Sequence, residues 1–85
     1  MNEYEKVVLE KDLKLDEEED LIVFEGEPFT GIGIESYENG QKKSEKRYKR
    51  GVEHGFSYEW YGDGKKKSEV PWENGNVNGH VYSWY

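Results

Sequence analysis

The 85-residue chain has no cysteine, only two histidines, and no apolar run long enough to span a bilayer. The missing cysteines exclude a disulfide framework and a thiolate metal site, and fit a reducing compartment. His54 and His80 have no second histidine or cysteine at ligand spacing, so the sequence offers no metal site and no acid-base pair built on histidine. Near Met1 there is neither a basic stretch leading into an apolar run nor a membrane segment, and the expected location is cytoplasmic. A basic surface is also lacking. The formal net charge is -7, and all of the excess lies early in the chain: residues 1–25 hold ten acids against three lysines, whereas residues 26–85 are balanced. Direct binding of nucleic acid or anionic lipid is therefore disfavoured, and a basic protein partner is favoured.

What the chain does have is a period. Laying residues 31–54 over 55–78 matches nine positions without a gap: Gly31/Gly55, Glu35/Glu59, Tyr37/Tyr61, Gly40/Gly64, Lys42/Lys66, Lys43/Lys67, Ser44/Ser68, Glu45/Glu69 and Gly51/Gly75. A third copy begins at Gly79 and runs to Tyr85. A fixed period of this kind marks a stack of supersecondary units that present a surface to a partner.

Each unit reads as a β-hairpin. Asn39-Gly40 and Asp63-Gly64 are the dipeptides of a two-residue type I′ turn. That turn pairs Glu38 with Gln41, Tyr37 with Lys42, Glu35 with Ser44 and Gly31 with Tyr48, and in the next unit Tyr61 with Lys66, Glu59 with Ser68 and Gly55 with Trp72. A glycine facing a large ring lets the ring cover bare backbone. Longer links, with Gly51 and Gly75 near their middles, join one hairpin to the next. Pro71 marks a strand end, a bulge or an edge. Upstream, Leu21–Phe24 is the second strand of a degenerate zeroth unit. Val7–Leu9 and Leu13–Leu15 are strand candidates for an N-terminal cap, and a helix over 3–19 is the competing reading. The division is thus an acidic capping segment, 1–20, and a repeat array, 21–85, comprising the degenerate strand 21–30, repeats 31–54 and 55–78, and the partial repeat 79–85.

The string Gly31-x-Gly33-x-x-x-Tyr37-x-Asn39-Gly40, followed by Ser44-Glu45, Tyr48 and Gly51, resembles the MORN repeat. Gly26-Glu-Pro-Phe-Thr-Gly31 is similar to the lead-in of repeats in a bacterial branch labelled antitoxin component. The resemblance covers residues 21–85, and the second unit departs from it at Ser57, Gly62 and Pro71. It implies an all-β fold, an elongated, twisted, single-layer antiparallel sheet of consecutive MORN-type β-hairpins, acting in protein association. The antitoxin label implies a toxin neutralised by direct binding. The resemblance brings no catalytic residue and no cofactor.

Comparing the copies separates two faces. Gly31, Tyr37, Tyr48, Gly55, Tyr61, Trp72, Gly79 and Tyr85 form a nearly constant face whose rings are expected to stack in columns. Ile32, Ile34, Phe56, Tyr58, Trp60, His80, Tyr82 and Trp84, with Ser36, form a variable face rich in aromatics. A contiguous aromatic surface left in water is an expected partner site, unless the sheet curls to bury it against residues 1–20 or a second copy. Residues 79–85 are expected to form an open edge strand able to accept a partner strand or another copy. Repeated Glu and Lys positions read as cross-strand charge pairs, and Lys65–Lys67 with Lys42 and Lys43 as solvated turn flanks that make a poor membrane patch. Two functions stand side by side: an antitoxin or immunity protein gripping a basic toxin domain, and a MORN scaffold or membrane-associated module unrelated to toxins.

Overall fold

A computed structural model describes residues 6–85. Residues 1–5, which open the acidic segment and the alternative helix, lie outside the described residues. The architecture is all-β. In chain order the strands are β1 (Val7–Leu9), β2 (Lys14–Asp16), β3 (Leu21–Phe24), β4 (Glu27–Pro28), β5 (Gly31–Ser36), β6 (Lys42–Lys49), β7 (Val52–Glu53), β8 (Gly55–Trp60), β9 (Lys66–Glu73), β10 (Asn76–Val77) and β11 (Tyr82–Ser83). A single 3-10 turn over Glu10–Asp12 replaces the alternative helix among the described residues. No helix among them is long and apolar enough to cross a membrane.

The strands form two sheets. An eight-stranded sheet runs β1-β5-β6-β8-β9-β10, with β7 on β6 and β11 on β9; β2-β3-β4 form a three-stranded sheet. All pairings are antiparallel except β1 on β5, which is parallel with Val7 opposite Ile32 and Leu9 opposite Ile34. The expectation of a single elongated sheet is corrected here, since the described residues measure 36 × 30 × 29 Å and their strands divide into two sheets. The reason is a small domain's need for a core: one sheet alone has nowhere to bury apolar side chains.

The turns differ from the sequence reading in an instructive way. Tyr37 N–H donates to the Gln41 carbonyl at 2.8 Å and Gly40 N–H to the Tyr37 carbonyl at 3.0 Å, so the loop has three residues with only Gly40 at positive φ. Asn39 is held in place by its own side chain, whose Oδ1 accepts the Gln41 N–H at 2.9 Å. This is the type I turn with a glycine bulge. A second bulge follows, because Ser36 faces Lys42 while Glu35 faces Ser44, leaving Lys43 unmatched. The two one-residue shifts cancel. The predicted pairs Gly31–Tyr48, Glu35–Ser44, Gly55–Trp72 and Glu59–Ser68 all occur, while the predicted Tyr37–Lys42 and Tyr61–Lys66 pairs do not. True two-residue turns with both residues at positive φ lie in the links instead, at Glu25-Gly26, Arg50-Gly51 and Asn74-Gly75.

The core lies on the constant face. Phe29 and Tyr48 are buried there, and Phe29 sits 5.9 Å, ring to ring, from both Phe24 and Tyr48. Gly26 to Gly31 spans one residue more than Gly51 to Gly55, and Phe29 lies in this longer link. The second sheet is fastened at Gly51: Ile22 N–H donates to the Gly51 carbonyl and Gly51 N–H to the Phe29 carbonyl, both at 2.8 Å. The capping segment covers the first unit through Glu10, whose Oε1 accepts the Tyr48 hydroxyl at 2.8 Å. A Cβ at Gly33 would lie 2.6 Å from Glu10 Oε1 and 2.9 Å from Leu13 Cδ1. The ends of these two cap side chains fill the space and would have to move aside for a larger residue. At the equivalent place in the second unit Ser57 is accommodated, and its hydroxyl accepts the Trp72 indole N–H at 2.9 Å.

Pro71 falls within β9, opposite Phe56. Its carbonyl accepts Asn78 N–H at 2.9 Å, and in an antiparallel strand a residue's nitrogen and carbonyl point the same way. The proline nitrogen therefore faces the gap between β10 and β11, and no bond to β8 is lost.

Candidate functional site

Alternation along β5, β6, β8 and β9 divides the large sheet into its two faces, and the ladder pairs fix which side chains share one. Paired residues lie on the same side, so Ile32 joins Arg47, Ile34 joins Glu45 and Tyr58, and Tyr58 joins Glu69 and Tyr82. The eight residues singled out from the sequence thus lie on one side of the sheet. Phe56, Tyr58 and Trp60 follow one another along β8 with centroids 6.1 and 5.8 Å apart. His80, Tyr82 and Trp84 do the same along the edge, at 5.9 and 6.1 Å. Ile32 and Ile34 are half-buried on β5 and do not touch these ladders through any ring contact; β1 extends their strip with Val7 and Leu9, which are both exposed.

This face is open. Phe56 is 45% exposed, Tyr82 50% and Trp84 43%. Among the described residues the capping segment does not fold over it: β1 adds to its edge, while Glu10 and Leu13 cover the opposite side. Among the described residues the ring-to-ring contacts on this side join Phe24, Phe29 and Tyr48, in place of the expected stacked columns. Tyr37 and Tyr61 act through their hydroxyls instead: Tyr37 donates to the Trp60 carbonyl at 2.8 Å and Tyr61 to the Trp84 carbonyl at 2.6 Å, while Tyr85 is fully exposed. Each hairpin is thereby tied to the next, and each tie holds one of the exposed ladders by its backbone.

The variable face is not a contiguous aromatic surface, as the sequence suggested, but two aromatic ribbons with charged strands β6 and β9 beside them. The double bulge turns Lys42 and Lys66 to this side. Lys42 Nζ lies 2.7 Å from Glu45 Oε1 and 5.4 Å from the centre of the Trp60 ring. Lys66 Nζ lies 3.2 Å from Glu69 Oε1 and 4.8 Å from the Tyr58 ring. Arg47 reaches Glu45 Oε2 at 2.8 Å, lies over Tyr58 at 5.4 Å and donates from Nη1 to the Phe56 carbonyl at 3.0 Å. Burial works against the Glu45 charge, but hydrogen bonds from Lys42 and Arg47 hold its carboxyl below the ordinary range. On the other side Lys43 faces Glu35 at 3.7 Å and lies over Tyr37. Sequence reasoning missed Lys42 and Lys66 as members of the aromatic face because the assumed turn put them on the wrong side, and it passed over Arg47, opposite Ile32 in the counted register too, because only the apolar and aromatic positions were compared.

The remaining sequence candidates serve the scaffold. His54 Nδ1 accepts the Asn74 N–H at 3.5 Å, the place that Thr30 Oγ1 takes toward Arg50 N–H at 2.9 Å one unit earlier. The acidic run 16–20 is a turn, in which Asp16 Oδ1 accepts N–H bonds from Glu18 and Glu19 at 3.1 and 3.3 Å. Glu19 and Asp20 border a groove with Tyr48 and Glu53 on the constant side, away from the aromatic ribbons. Glu53 is pushed above the ordinary carboxylate range by burial and by Glu10, with Lys46 acting against both. Among the described residues no group of three or more His, Asp or Glu converges as a metal-binding cluster. In comparisons with known proteins, no protein family, no curated protein and no solved structure matches this chain.

Proposed function

We propose that this chain is a non-catalytic protein-binding module of the antitoxin or immunity kind, neutralising a toxin domain by direct contact through the aromatic face. The observation that carries the reading is the asymmetry of the sheet. The first unit of the constant face is covered by the cap and the second sheet, while Phe56, Tyr82 and Trp84 stay exposed on the variable face. Exposed tyrosine and tryptophan dominate the energy of protein interfaces, and a patch of them left in water favours a partner that covers it. The resemblance to MORN repeats supports association as the role, and its antitoxin branch supports a toxin as the partner. The acidic run lies on the opposite side, so it acts on a basic partner through the overall field and raises the association rate, which falls with ionic strength.

The test is co-expression. The product of the adjacent gene, expressed alone, is expected to arrest growth, and this chain is expected to relieve the arrest. The triple variant Phe56→Ala, Tyr82→Ala, Trp84→Ala should lose that relief while remaining folded by circular dichroism. A harmless neighbour would remove the toxin and favour the scaffold reading; relief that survives in the folded triple variant would remove the aromatic face.

A further inference from the structure

The repeats provide an internal template for a site that the second unit leaves incomplete. In the first unit the Arg47 guanidinium fills a corner with three walls: Glu45 Oε2 at 2.8 Å, the Phe56 carbonyl at 3.0 Å and the face of Tyr58 at 5.4 Å. Shifting by 24 residues carries these walls to Glu69, the His80 carbonyl and Tyr82, and carries Arg47 to Pro71. The carboxylate and the ring persist side by side, and the repeat assigns the third wall to the His80 carbonyl by position. Glu69 lies beside Tyr82 in the ladder, and Tyr82 is 5.9 Å from His80, ring to ring. Only the cation is missing, because the proline ring lies against Gly79 and has no atoms with which to fill the space of a guanidinium.

The carboxylates differ accordingly. Glu45 spends one oxygen on Lys42 and the other on Arg47, whereas Glu69 among the described residues has Lys66 on Oε1 and no ion-pair partner on Oε2. The Glu69 side chain is 24% exposed against 14% for Glu45. We infer that Glu69, Tyr82 and the His80 carbonyl form a socket for an arginine side chain of a protein partner, which completes in the second unit what Arg47 completes in the first. This rests on the protein-binding reading above and names the chemistry that the partner presents. A planar guanidinium donates in two directions while lying flat over a ring; a lysine ammonium is a point charge and makes fewer of these contacts at once. The occupant is also consistent with the acidic balance of the chain.

The experiment needs no partner protein. N-acetyl-arginine amide is titrated into ¹⁵N-labelled protein and followed by NMR, with the corresponding lysine and citrulline amides as controls. The expected result is a set of shifts centred on Glu69, His80 and Tyr82, with a dissociation constant on the order of millimolar. Citrulline should give no such shifts. Glu69→Gln is expected to weaken binding by about threefold to fivefold, from the loss of a partly exposed ion pair. Pro71→Arg, which fills the corner from within as Arg47 does, should abolish it. Shifts spread equally over Glu45 and Glu69, or an affinity unchanged in folded Glu69→Gln and Pro71→Arg proteins, would overturn the socket. A chain that binds arginine here but neutralises no toxin keeps the socket and loses the functional reading; one that neutralises a toxin without binding arginine loses the socket alone.

Discussion

At the residue scale, glycines with the same positive φ have different duties. Gly40 and Gly51 stand at φ 88° and 84°, yet a Cβ at Gly40 meets nothing, whereas one at Gly51 lies 2.8 Å from Leu21 Cβ and 2.9 Å from the Ile22 carbonyl oxygen. Gly40→Ala should cost about 1 kcal/mol, the penalty of the left-handed region alone. Gly51→Ala must also push back the strand that joins the second sheet to the first, and denaturant unfolding should show a loss roughly two to three times as large. Glu53 offers a pH-dependent contrast. Its folded-state carboxyl holds its proton above the ordinary value of 4.5, so the folded state binds more protons than the unfolded chain between that value and the raised one. Stability therefore falls as pH rises through this window and stays lowered above it. Glu53→Gln is expected to raise the melting temperature at pH 7, and the gain should vanish below pH ~4.

At the element scale, hairpins were legible in the sequence and their turns were not. Asn39-Gly40 carries the strongest short signal for a type I′ turn, but the Asn39 side chain bonds to Gln41 N–H and stabilises a three-residue loop instead. The error stayed hidden because the bulge at Lys43 restores the register, leaving Gly31 opposite Tyr48 as counted. Two of the three real two-residue turns carry Glu25 and Arg50 at φ 52°, residues that seldom adopt it. No local propensity predicts these two, whereas the third, Asn74-Gly75, is the dipeptide that favours such a turn. Arg50 is held by contacts distant in sequence, from its N–H to Thr30 Oγ1 and from Gly51 to Phe29 and Ile22. The edge strand yields its own test: Trp84 N–H donates inward to the Lys67 carbonyl at 2.8 Å, and by antiparallel alternation Ser83 N–H points outward. Amide exchange should be slow at Trp84 and fast at Ser83. Tyr61→Phe removes the tie to the Trp84 carbonyl; it should speed exchange at Trp84 by about fivefold, the effect of a hydrogen bond worth about 1 kcal/mol, with little change in global unfolding.

At the scale of the whole molecule, the repeat comparison separated framework from variable positions on the correct faces, because alternation survives from β5 to β8 despite the bulges. The second sheet was only half visible. Leu21–Phe24 was readable as a strand, but its closure over the first unit depends on Phe29 and Gly51, which are brought together by long-range contacts. The division of labour predicts unequal costs for similar substitutions. Phe29→Ala should destabilise by about 3–5 kcal/mol, enough to unfold much of a domain this small, while exposed Phe56→Ala should cost less than about 1 kcal/mol. The central claim is that the framework side holds the fold and the aromatic side meets the partner. Hydroxyl-radical footprinting of the chain, free and bound to the proposed protein partner, reads both sides at once. The account predicts that oxidation of Phe56, Tyr82 and Trp84 falls several-fold on binding while Tyr37 and Tyr61 are unchanged; protection confined to the constant side, with the three exposed rings oxidised as before, would contradict it.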